Sequence, residues 1–519
     1  MILLAGVVAL LVVGAIVVRQ HIDAAFVEAR INRALAEAGR PGRVSVSAFR
    51  LSLLTRSFVA RDIAYVADGD STTPGIDVRI PLLAVQGIRL LPWLIDRRIS
   101  IRAIALEGLT VDGERASAPD DEAGISMAHL VGRLPDVSVD RITLPALRLG
   151  AAPYLGAFDL EIIGLELSEA GLRDTTRVAF CRDLRFAIPS VRWTTADSLH
   201  AVTLDGIAGS TRQGRLDVDS MHVTPMFADE AFMRRVAFRT NRIATGIAGV
   251  RLAGVDYRAL LDQQAIRIDV IAVDSAFLDV YKDKHLPEDP NKPTPMLPHE
   301  ALQAIGMPVY LDALSLRTAH IQYREMEEDG ELQGMVWFDE VNLAGSGISS
   351  EPDTTRPDGG AALLYARARF QDAGILHAAF EMPLHVPTFM MRYHGTLSGM
   401  SAELVSPVLT NLKGIRIGSG YVDSLAFDIR VDDARADGEV RVAYRDLKMG
   451  FVDKVDRSRR LQDRLKTFFV NGVLIAESNP ASPDEPLRVG ETAYVRDEDP
   501  FFRFLWRALR DGLKASVNR

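Results

Sequence analysis

The stretch "ISIRAIALEGLTV", residues 99–111, decides how the chain is read. Its apolar side chains fall at Ile99, Ile101, Ile104, Leu106, Leu109 and Val111, in steps of two, three, two, three and two. A strand alternates every two residues and a helix repeats every three or four, so neither period alone accounts for the rhythm. "VSVDRITLPALRL" repeats it on Val137, Val139, Ile142, Leu144, Leu147 and Leu149. "IRIDVIAVDSAFL" does so on Ile266, Ile268, Ile271, Val273, Ala276 and Leu278, and "VYLDALSLRTAHI" on Val309, Leu311, Leu314, Leu316, Ala319 and Ile321. Shorter versions start at Val44 and Leu216.

In a chain that is 48% apolar the steps alone are weak evidence, but the positions between them are mostly Ser, Asp, Arg, Thr, Glu and small residues. A step of two keeps side chains on one face of a strand. A step of three inserts one residue and would throw the next side chain to the other face. A β-bulge absorbs that residue, restores the phase and bends the strand. The expected fold is therefore mainly β: an elongated, curved antiparallel sheet with one apolar concave side, forming a groove. The pattern does not assign which apolar face lines it and which packs against helices.

The first 18 residues, "MILLAGVVALLVVGAIVV", carry no charge and no polar side chain. As a helix they would measure about 27 Å, close to the hydrocarbon thickness of a bilayer. "RQHID" follows directly without a small-x-small cleavage pattern, which favours an uncleaved single-pass anchor over a signal peptide. Charge alone does not orient it, because Arg19 follows the run and nothing basic precedes it. The expected organisation is an anchor at 1–18, a juxtamembrane helix at 19–40, a first β segment at 41–280, a Pro-rich loop at 281–300, a second β segment at 301–498, and a C-terminal amphipathic helix at 499–519. Helical insertions are expected near 121–133, 298–305 and 454–468. Hairpin turns are expected at Asp329-Gly330 and Asp437-Gly438.

In the final helix, Phe501, Phe502, Leu505, Leu509 and Leu513 are expected on one face, with Arg503, Arg507, Arg510 and Lys514 on the other. Together with Trp506 they would cap the open end of the sheet, lie on an anionic membrane, or do both.

Net charge is −9, which argues against nucleic acid as a partner. The single cysteine, Cys181, excludes an internal disulfide and a cysteine-based zinc site, and its bland reading is a small buried hydrophobe. No nucleotide-binding, zinc-protease or nucleophile-elbow motif occurs, and the ten histidines are scattered. Asp432, Asp433 and Asp437 lack the alternate spacing of a calcium loop. No catalytic residue, metal or cofactor is expected.

An anchor followed by "VSVSAFRLSLLTRSFVARDIAYV" and "VRIPLLAVQGIRLLPWLIDRRISIRAIALEGLTVDG", with "GEVRVAYRDLKMGF" toward the end, resembles the AsmA-like family of bacterial envelope proteins, the AsmA, TamB and YhdP type. The middle "VYKDKHLPEDPNKPTPMLPHEAL" and the final "FFRFLWRALRDGLK" resemble a Bacteroidota-type branch. The resemblance implies an inner-membrane anchor, a periplasmic β-groove, and a role in phospholipid movement toward the outer membrane or in outer-membrane homeostasis. The residues expected to line the groove are Ile99, Ile101, Ile104, Leu106, Val137, Val139, Ile142, Leu144, Ile266, Ile268, Ile271, Val273, Leu314 and Leu316. The expected partners are a phospholipid or other lipid, the inner membrane, and an outer-membrane or periplasmic protein at the far end. The alternative is a scaffold or assembly factor whose sheet edges bind client strands.

Overall fold

A computed structural model describes residues 23–37, 42–67, 75–89, 98–113, 136–150, 152–356, 359–451 and 476–517. The expected anchor at 1–18 and the helical insertions near 121–133 and 454–468 lie outside them. Among the described residues no helix is long and apolar enough to cross a membrane.

The chain is mainly β and divides into two compact units, residues 1–193 with 203–219, and residues 194–202 with 220–519. The division runs through two strands, β9 (His200–Ser210) and β10 (Arg215–Pro225).

In the first unit, helix α1 (Ala24–Glu37) precedes strands β1 (Arg43–Ser52), β2 (Ser57–Ala67), β3 (Ile76–Arg89), β4 (Ile99–Glu107), β5 (Thr110–Gly113), β6 (Val137–Leu149), β7 (Phe158–Leu167) and β8 (Asp183–Thr194), with a short helix α2 (Glu169–Arg173) after β7. The opening stretch, 99–111, spans β4 and the start of β5, both of which pair with β3. Helix α1 sits on the outer edge of the sheet. Its Asn32 side chain accepts from the Val44 amide at 2.7 Å and donates to the Val44 carbonyl at 2.8 Å, occupying groups that an edge strand leaves open.

The second unit holds α3 (Asp229–Met233), β11 (Asn241–Ala253), α4 (Tyr257–Asp262), β12 (Ile266–Asp283), α5 (Pro298–Gln303), β13 (Val309–Met326), β14 (Gly334–Ser349), β15 (Ala362–Phe370), β16 (Gly374–Met382), β17 (Met390–Ser401), α6 (Ser406–Lys413), β18 (Ile415–Asp432), β19 (Arg435–Phe451), β20 (Val489–Val495) and α7 (Phe501–Val517). From β13 to β20 each strand pairs antiparallel with the next.

Among the described residues parallel pairing occurs at two joints, where β4 and β5 meet β6 and where β12 meets β13, and these join the four stretches quoted at the outset. Strands β4 and β6 are parallel, with Ile99 opposite Val137, Ile101 opposite Val139 and Ile104 opposite Ile142. Strands β12 and β13 are also parallel, and all six rhythm positions coincide, from Ile266 opposite Val309 to Leu278 opposite Ile321. The parallel joint accounts for the expected Pro-rich loop at 281–300, whose two ends are built into regular elements. Residues 281–283 finish β12, 298–300 open α5, and the loop between them is part of the crossover that returns the chain beside β12.

At the step from Ile101 to Ile104 and at both steps of three in β12 and β13, one ladder pair is missing from both strands. The missing pairs are Arg102 with Asp140, Asp269 with Asp312, and Asp274 with Arg317. Neighbouring strands carry the interruption at the same level. Gly249 of β11 stands opposite Asp274 with φ +65°, and an added Cβ there would lie 2.3 Å from Asp274 Oδ2, so only glycine fits. Gly347 of β14 stands opposite Asp312 with φ +66°. The strands thus bend in step, and the inserted residues are charged or glycine.

A correction concerns Asp437-Gly438. The β18–β19 turn is four residues earlier, at Asp433-Ala434, where Asp433 takes the left-handed conformation at φ 55°. Asp437 is inside β19, held by Arg435 at 2.6 Å, and is part of no calcium loop. The Asp329-Gly330 turn lies where expected, between β13 and β14.

Candidate functional site

Cross-strand partners point to the same face of a sheet, so the registers define which side chains share a surface. Across β11–β16 one row runs Val250, Val273, Leu316, Leu343, Ala366, Ala378. A second runs Leu252, Ile271, Leu314, Gly345, Leu364, Phe380. A third runs Thr245, Leu278, Ile321, Phe338, Phe370. Every one of these side chains is half-buried. Between β11 and β14 the apolar ones belong to no buried core cluster.

The opposite face at the same level carries ion pairs. Arg251 pairs with Asp274 at 2.8 Å, and Arg317 reaches the same carboxylate at 3.6 Å. Arg324 binds Asp279 at 2.7 Å and Asp229 of α3 at 2.5 Å. Burial pushes the Asp279 carboxyl upward, but hydrogen bonding and attraction from Arg324 outweigh it and hold the group below its ordinary range. At these levels apolar side chains line one surface, and the other carries these ion pairs beside the exposed Phe277 and the buried Tyr281 cluster.

The same rows continue to β20 through Tyr393, Ile429, Gly438 and Thr492. There α7 covers them. Tyr393 donates its hydroxyl to the Leu505 carbonyl at 3.1 Å, and Thr492 donates to the Ala508 carbonyl at 2.7 Å. The helix buries Phe504, Leu505, Ala508, Gly512 and Ser516, of which Ala508, Gly512 and Ser516 form a seam of small residues at four-residue spacing. Of the expected apolar face, Leu505 is buried and only Phe502 turns outward. Phe501, Leu509 and Leu513 pack partly against the core, whereas Phe502 and Trp506 are 78% and 55% exposed. The apolar surface thus passes from open at β11–β14 to roofed by a helix at β17–β20.

The residues expected to line a groove separate into two sets. Ile99, Ile101, Ile104, Leu106, Val139 and Leu144 are buried in a closed cluster, with Val137 and Ile142 packed against it. Ile266, Ile268, Ile271, Val273, Leu314 and Leu316 are half-buried and outside every cluster. The structure adds Leu343 and Phe338 to the second set, whereas Leu364 and Phe380 further along the rows pack against the core under α7. Leu343, Gly345 and Ile348 of β14 keep the two-three step, but glycine in place of an apolar residue hides it in the sequence.

Among the described residues no group of three or more His, Cys, Asp or Glu side chains is arranged to hold a metal. No protein-family model matches the chain, and no curated protein matches it.

Proposed function

We propose that the open apolar rows of β11–β14 bind the acyl chains of a lipid, and that the protein is a passive lipid conduit of the AsmA-like kind. In this reading it hangs from the inner membrane and faces the outer one. The observation that supports this is the pairing of a half-buried, uncovered apolar surface with an opposite face that carries ion pairs in one sheet. Exposing a methylene to water costs about 0.8 kcal/mol, so two sixteen-carbon chains crossing water unaided would cost over about 20 kcal/mol. Four strands about 4.8 Å apart give a floor about 14 Å wide across β11–β14. A larger span and a partner at the far end belong to the same proposal.

The test is lipid analysis of the full chain purified in mild detergent. Recovery of bound phospholipid by mass spectrometry, lost on Val273→Asp with Leu316→Asp in a folded variant, supports the reading. Absence of lipid from the wild type refutes it. In that case the scaffold reading becomes the one to pursue, through crosslinks to outer-membrane proteins that persist in the double variant.

A further inference from the structure

The apolar rows end on a cation. From Ser275 to Asp283 the β12–β13 ladder is unbroken, so Ala276, Leu278, Val280 and Lys282 share the floor face of β12. By the same alternation Ala319, Ile321, Tyr323 and Glu325 share it on β13, and Lys282 stands directly opposite Glu325. Glu325 is already taken. Lys284 forms an ion pair with it, and the Tyr323 hydroxyl donates to it at 2.5 Å. Glu327 is shared by Lys284 at 3.1 Å and Lys413 of α6 at 2.6 Å. Lys282 makes no ion pair among the described residues and is half-buried.

The charged groups that act on Lys282 are Arg503 from α7, Lys292 and Lys284 from the crossover, and Glu325 from β13, while β11 sets the uncharged Asn241 opposite it. Burial and then the three cations drive the ammonium down to about 8, with Glu325 the one opposing influence. A buried cation short of a counter-ion is costly, and it lies where the hydrocarbon floor stops.

We propose that Lys282 binds the negatively charged phosphate headgroup of a lipid whose acyl chain lies on the β11–β14 floor, so that the protein selects anionic over zwitterionic phospholipids. This rests on the lipid-binding reading above and adds the class of lipid. The headgroup would complete the charge balance at Lys282, and the chain would cover the half-buried rows that lead to it.

The full chain in neutral detergent is incubated with vesicles of equal phosphatidylglycerol and phosphatidylcholine, repurified, and its lipid quantified by mass spectrometry. Wild type at pH 7 is expected to enrich phosphatidylglycerol on the order of tenfold, the range of one charge-assisted contact. Lys282→Gln should keep the total lipid and lose the enrichment. Lys282→Arg should keep both, and should hold its preference at pH 9.5 where the wild type loses it. Recovery of the two lipids in their input ratio, or equal enrichment by wild type and Lys282→Gln, overturns the headgroup site while leaving the lipid-binding reading intact. Recovery of neither lipid overturns both.

Discussion

Truncating one rhythm residue in each unit separates a filled core from an open surface. Ile101 is 1% exposed, and its register partners Ile88 and Val139 are buried with it. Ile101→Ala therefore removes methylenes and leaves a cavity, at about 2–5 kcal/mol. Leu316 occupies the same phase of the same pattern, but its row partners Val273 and Leu343 are half-buried beside it and no buried cluster includes it. With no enclosed cavity to create, Leu316→Ala loses only part of the transfer free energy, about 1 kcal/mol. Urea unfolding of both variants, read by circular dichroism, measures the difference, and the slopes should match that of the wild type. Leu316→Asp goes further: it places a carboxylate in solvent-accessible hydrocarbon, so folding changes little while co-purified lipid falls on the order of tenfold. If Leu316→Ala costs as much as Ile101→Ala, the β12–β13 rows are a closed core and the reasoning fails. It fails equally if Leu316→Asp retains its full complement of lipid.

Four further outcomes are expected. Gly490→Ala puts a Cβ 1.9 Å from the Gly512 carbonyl oxygen, so α7 should lift, lowering the melting temperature and opening the C-terminus to limited proteolysis; unchanged protection would contradict the seam. Asn32→Leu strips both side-chain hydrogen bonds from Val44, costing about 1–3 kcal/mol, and bares the β1 edge, so oligomers should appear on size exclusion. Burial pushes the Cys181 thiol up to about 12, so it should resist Ellman's reagent at pH 8 until urea unfolds the chain, and rapid native labelling would refute that. The Asp279–Arg324 pair should stabilise the fold above the usual carboxylate range and lose that contribution as pH falls below it, because the folded pKa is depressed; Asp279→Asn should flatten this acid limb of the unfolding curve.

The rhythm of Ile266 to Leu278 and Val309 to Ile321 was legible because it reports the backbone itself: a missing ladder pair at every step of three. The parallel pairing of those strands was not, since apolar spacing is the same in either direction. Nor could the pattern say that Ile101 is enclosed while Val273 is open. The difference comes from what lies over each surface, and cover is a property of distant segments. The same holds for α7. Its composition marked an amphipathic helix, but the face it buries is set by Gly490 and Thr492 beneath it, which admit only a close approach by Ala508 and Gly512. Lys282 was missed because a lysine two residues past an apolar run resembles any solvated strand end.

The aligned ladder interruptions constrain how such a chain can change. A single-residue deletion in β12 would put its side chains out of phase with β11 and β13 at every level beyond it, whereas a whole hairpin added to the β13–β20 meander carries its own bends and leaves the neighbours' phase alone. Growth by modular two-strand increments is therefore the tolerated route. Reach becomes a quantity that can be inherited in units without redrawing the profile of the strands.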